Sequence, residues 1–136
     1  MAIAGLLLAL GVSARGGFRP SRSSDTFATS CELNPPREAA ALERCLALQP
    51  RDVELMLDLG AIYEADARID RAEALYRQAL TVDPKDGDVH VRLGRLLLQR
   101  GDRTAAALEA RTALGFQSRS PRALDLLAAS KHGVEQ

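Results

Sequence analysis

The chain has 136 residues, enough for one domain, with 46% apolar and only 4% aromatic side chains and no tryptophan. Eighteen basic residues balance eighteen acidic ones, which argues against a nucleic-acid backbone or an anionic membrane surface as partner. A composition this rich in Ala, Leu, Arg and Glu favours helices packed through small residues over a sheet sandwich, and the two cysteines, Cys31 and Cys45, fit no metal-site pattern.

Residues 2–12 form an apolar run of 11 residues, too short for a membrane span of about 20 but suited to the apolar centre of a secretory signal. Val12-Ser13-Ala14 places small or apolar groups before a cleavage point at Arg15. Residues 1–14 are therefore expected to be a signal peptide, and the mature protein periplasmic or secreted, with no membrane contact after cleavage. No basic residue precedes the apolar run, which leaves a membrane-anchored or cytoplasmic form as the alternative. Residues 15–24, RGGFRPSRSS, bury too little apolar surface to offset their ordering entropy and read as a flexible leader.

Residues 25–49 read as a half or degenerate repeat. A short helix over 25–33, capped by Ser24, is stopped by Asn34-Pro35-Pro36. A longer helix over 37–48 carries the stripe Ala41, Leu42, Cys45, Leu46 and Leu48. The two segments run antiparallel, so an exported chain is expected to join Cys31 to Cys45. In a reducing compartment they remain buried thiols, acting as small hydrophobes.

From Pro50 the pattern becomes periodic. Leu59-Gly60 returns as Leu93-Gly94, Ala72 as Ala106, and Ala79-Leu80 as Ala113-Leu114, each 34 residues on. A fixed period of this length signals stacked helical hairpins. In the unit 50–86, Asp52 caps a first helix with Leu55, Met56, Leu59 and Tyr63 inward. The second helix, 69–82, turns Ala72, Leu75, Tyr76, Ala79 and Leu80 inward. A mid-helix glycine costs about 1 kcal/mol against alanine, so Gly60 implies a close approach by Tyr76 or Leu75. In the unit 87–120, Val89, Leu93, Gly94 and Leu97 face the core, Gly101 makes the turn, and a helix over 104–114 is closed by Gly115 and residues 117–120. Residues 121–136 supply a capping helix and tail, with Leu124, Leu127 and Ala128 expected to face the stack.

The series Leu59-Gly60, Tyr63, Ala72, Tyr76, Ala79, Pro84 resembles the tetratricopeptide repeat at every spacing. The match is looser in the second unit, where Leu97 and Ala110 replace aromatics and Ser118 stands where proline is usual. The resemblance implies an all-α, right-handed solenoid of antiparallel hairpins, a non-catalytic scaffold that binds a partner peptide or helix in the groove lined by its first helices. Mapped onto this chain, the groove comprises Glu54, Leu57, Ala61, Glu64 and Ala65, then Asp88, Val91, Arg95, Leu98 and Gln99, with Arg122, Asp125 and Ala129 added by the terminal helix. Leu57, Val91 and Leu98 are apolar there with no core to fill, which suits an amphipathic helix, an extended peptide or a second copy of the chain. Asp58 and Arg92, 34 apart, are expected to pair across the stack. The basic clamp with which some members hold chain-terminal carboxylates is not matched, since Leu57, Ala61 and Val91 occupy its places.

No cofactor and no metal are expected, and no catalysis. His90 falls in the core register, His132 near the chain end, and neither has a nucleophile or carboxylate pair beside it. Glycine-rich phosphate loops and base-stacking aromatics are missing. The alternative to a free-standing adaptor is an accessory arm of a larger enzyme or biogenesis assembly.

Overall fold

The structure, a computed structural model, describes residue 31 and residues 37–132. The expected signal, leader and most of the short helix 25–33 lie outside these residues. Six helices follow in order: α1 Ala39–Leu48, α2 Val53–Ala65, α3 Ile69–Val82, α4 Gly87–Gln99, α5 Arg103–Phe116 and α6 Pro121–Lys131. Among the described residues there is no strand, and no helix is long and apolar enough to cross a membrane.

The first helix of each of the two hairpins, α2 and α4, starts on an aspartate whose carboxylate accepts from its opening amides, as the side-chain cap of an exposed helix end requires. Asp52 accepts from the Leu55 amide at 3.1 Å, and Asp86 from Asp88 and Val89 at 2.9 and 3.2 Å. Asp102 does the same for α5 through the Ala105 amide at 3.0 Å. The turns inside the two hairpins share one geometry. The Arg68 amide donates to the Tyr63 carbonyl and the Ala67 amide to Glu64, as Asp102 does to Leu97 and Gly101 to Leu98. This double closure needs a left-handed residue just past the helix end. Gly101 supplies it with φ 87°, and Ala67, 34 residues earlier, holds φ 57° despite its Cβ.

The helices pack in sequence, α2 on α3 and α4 on α5, with α3 on α4 joining the hairpins and α6 touching both α5 and α4. Side chains 34 apart stack as equivalents. Leu42, Tyr76 and Ala110 are buried in the three second-type helices, as are Cys45, Ala79 and Ala113. One apolar core runs from Cys31 and Leu42 to Leu126. Arg100, ending α4, reaches back to Glu73 and, at 3.4 Å, Asp70 of α3.

At the N-terminal end, α1 is tied down twice. Cys31 and Cys45 are joined by a disulfide with Cα atoms 5.7 Å apart, and the Tyr63 hydroxyl donates to Glu43. Four expectations need correction. Leu48 is exposed, because the chain leaves α1 for the turn at Gln49 before it can be covered. Helix α1 begins at Ala39 rather than Arg37. Gly115 lies inside α5, which continues to Phe116. In α6 the buried residues are Ala123, Leu126 and Ser130, while Leu124 is 50% exposed and Ala128 is also outward. The register explains this last point. Positions 124 and 128 correspond to Met56 and Gly60, which in the central unit lie under their own second helix. No second helix follows α6 among the described residues.

Candidate binding groove

The groove is built from the first helices and α6. Between α2 and α4 lies a pocket of about 100 Å³ lined by Ala61, Glu64, Arg92 and Arg95. Between α4 and α6 lies a wider one of about 330 Å³, lined by Arg95, Leu98, Arg122, Asp125, Leu126 and Ala129. Arg95 borders both. Seven of the groove residues chosen from the sequence thus meet around two adjoining hollows: Ala61, Glu64, Arg95, Leu98, Arg122, Asp125 and Ala129.

The others are placed differently. Glu54, Ala65 and Gln99 are exposed outside both pockets. Asp88 is exposed and faces Arg122 at 3.8 Å. Leu57 is half-buried against the core. Val91 is not a groove residue at all: only 3% exposed, it forms a small satellite cluster with Ala113 and Ala123. The reason is that α6 packs onto α4 and α5 and covers this position, whereas its equivalent Leu57 has no such cluster. The expected pairing of Asp58 with Arg92 does not form. Arg92 instead turns its charge toward the Tyr76 hydroxyl.

Arg92 and Leu126 line the pockets but were absent from the sequence-derived set. Both signals were present. Arg92 stands one helical turn before Arg95, on the same face, and Leu126 follows Arg92 by the 34-residue step, which marks the same register position on the next first-type helix.

The floor of the smaller pocket is set from the core. Gly60 leaves room for the Tyr76 ring, since a Cβ there would lie 2.4 Å from the ring carbon Cε1. The ring therefore crosses α2, and its hydroxyl donates to Glu64 Oε1. Burial first, then this carboxylate, holds the Tyr76 phenol above the ordinary tyrosine range, partly opposed by Arg92. In the second hairpin the same opening, at Gly94, is filled from elsewhere: Cδ2 of Leu126 would lie 2.5 Å from an added Cβ, because Ala110 replaces the aromatic.

His90 is structural. It is buried, with Nδ1 2.6 Å from Glu109 Oε2 and Nε2 2.9 Å from the Pro84 carbonyl. Both ring nitrogens are engaged, and no nucleophile stands beside them. Among the described residues no group of three His, Cys, Asp or Glu side chains is placed to hold a metal ion.

Residues 65–129 match the family model described as "Tetratricopeptide repeat". No curated protein matches the sequence. Among solved structures, the crystal structure of MamA superposes with a TM-score of 0.67 at 15% identity, over 80% of this chain and 64% of that one; this chain thus spans less than two thirds of MamA. The Yersinia enterocolitica type III secretion chaperone SycD, solved with a peptide of the translocator YopD, gives 0.66 at 21% identity, over 83% and 95%. The second domain of human RPAP3, solved with the HSP70 peptide SGPTIEEVD, gives 0.65 at 18% identity, over 79% and 91%. At these identities the likeness is one of fold.

Proposed function

The chain belongs to the tetratricopeptide repeat family, whose fold is a protein-interaction scaffold, and we propose that it holds a segment of a partner protein along the groove between α2, α4 and α6, with no chemistry of its own. One observation carries this reading: Arg95 and its neighbours form two adjoining pockets across the first helices, opening on polar and apolar side chains together. A site of this kind selects a peptide or helix by a few anchors rather than converting a small molecule. Peptide-bound neighbours of the same fold support it. We place the protein in the cell envelope, as periplasmic or secreted. The apolar run at 2–12 and the Cys31–Cys45 disulfide support that placement, since such bonds persist in oxidising compartments. The uncovered face of α6 at Leu124 and Ala128 favours a second reading, in which another polypeptide completes a third hairpin and the chain is an accessory arm of a larger assembly.

The test is capture of partners by the mature protein beside an Ala61→Arg/Leu98→Asp variant with the same melting temperature. Loss of partners in the variant is expected. Recovery of the same partners by both proteins places binding elsewhere.

A further inference from the structure

We propose that the groove takes an internal acidic segment, seating one carboxylate side chain between Arg92 and Arg95 and a neighbouring apolar side chain in the hollow formed by Leu98, Leu126 and Ala129. The inference rests on the groove reading above and names its ligand class.

Charge carries the argument. The two pockets together present three guanidinium groups, Arg92, Arg95 and Arg122, and two carboxylates, Glu64 and Asp125. Glu64 stands as one carboxylate against the two guanidinium groups of the smaller pocket and also accepts from the Tyr76 hydroxyl. Among the described residues Arg122 pairs with Asp88 alone, at 3.8 Å between exposed side chains, a geometry that contributes little. Arg92 is half-buried beside a neutral phenol. Arg95 makes no ion pair or hydrogen bond among the described residues, though it stands where both pockets meet. Two guanidinium groups one helical turn apart outnumber the one carboxylate, Glu64, that lines the same hollow, and Arg95 has donors to spare for a carboxylate from outside. The adjoining wall is apolar and wide enough for a leucine- or phenylalanine-sized side chain, so the pattern read is an acidic residue close to an apolar one. Asp125, beside Arg122, disfavours a second acid at the far end of the wide pocket and sets the direction in which the segment lies.

The probe is an acetylated, amidated peptide of alternating glutamate and leucine, followed by backbone amide NMR of the full mature chain. Its glutamine counterpart is the first control, and the same acidic peptide with a free terminal carboxylate is the second. The amidated acidic peptide is expected to shift the amides of Ala61, Leu98 and Ala129 and to bind at least about fivefold more tightly than the glutamine form, the order expected for exposed charge pairs. Arg95→Glu should remove that preference, and raising the salt concentration should shrink it. Equal binding of both peptides at these amides overturns the acidic preference and leaves the groove reading standing. Shifts confined to other surfaces overturn both. Binding only of the free-carboxylate form, or no binding of the acidic peptide at millimolar concentration, also overturns the proposal.

Discussion

Gly60 and Tyr76 occupy one space: the ring carbon Cε1 of Tyr76 stands 2.4 Å from where a Gly60 Cβ would be. Alanine at 60 therefore gains helix propensity worth about 1 kcal/mol but must displace a fully buried ring. A net loss of about 1–3 kcal/mol is expected for Gly60→Ala, the usual cost of overpacking. Gly94→Ala should cost less, because its nearest obstacle is the flexible end of Leu126. Urea unfolding of the two variants checks the order; equal or reversed losses would refute it.

The Tyr76–Glu64 hydrogen bond gives a pH-dependent signature. The folded phenol is held above its unfolded value near 10. Its contribution to stability is therefore complete below about pH 10 and lost as pH rises through the folded value. Tyr76→Phe should cost about 0.5–1.5 kcal/mol at neutral pH, and the gap to the parent should narrow above about pH 10. Denaturant midpoints at pH 7 and 10.5 measure it.

Ala67 holds a left-handed conformation where the next hairpin has Gly101. Ala67→Gly should stabilise the chain by about 0.5–1 kcal/mol, and Gly101→Ala should destabilise it by a similar amount, because the Cβ penalty for this conformation exceeds the entropy glycine loses. Opposite shifts in melting temperature are the expected result.

The Cys31–Cys45 bond closes a loop with a separation of 14 residues, which loop-entropy models value at about 3 kcal/mol. Reductant should lower the melting temperature of the parent and leave that of a Cys31→Ala/Cys45→Ala variant unchanged. An unchanged parent would mean that α1 is held by Leu42 and the Tyr63–Glu43 contact alone.

The helices and their nesting could be read from the sequence because the information is local and repeated. Capping aspartates, the 34-residue echo and the small residues at 72, 79, 106 and 113 all act within one hairpin. What escaped depends on neighbours that the echo does not encode. Val91 and Leu57 share a register position, yet only Val91 is covered, because α6 lies beyond it. Leu124 copies Met56 in register but lacks a following helix to lie under. Asp58 and Arg92 are correctly spaced for a pair, yet Arg92 lies beside the Tyr76 hydroxyl and Asp58 stays exposed. The two hollows lie between the first helices, and Arg92 and Leu126 escaped because their register position, shared with Asp58, was assigned to pairing across the stack and not to the groove.

The hydroxyl of Tyr76 has a further consequence. In the first hairpin the same side chain fills the interior and fixes a carboxylate on the outer surface, so a change at Glu64 that altered ligand choice would also strand a buried phenol. Under the proposed groove reading, specificity and foldability at that hairpin are inherited together. In the second hairpin the corresponding residues are Ala110 and Leu98, which share no such bond; Leu98 packs partly against the core, so that position is constrained by apolar contact and not by a polar partner.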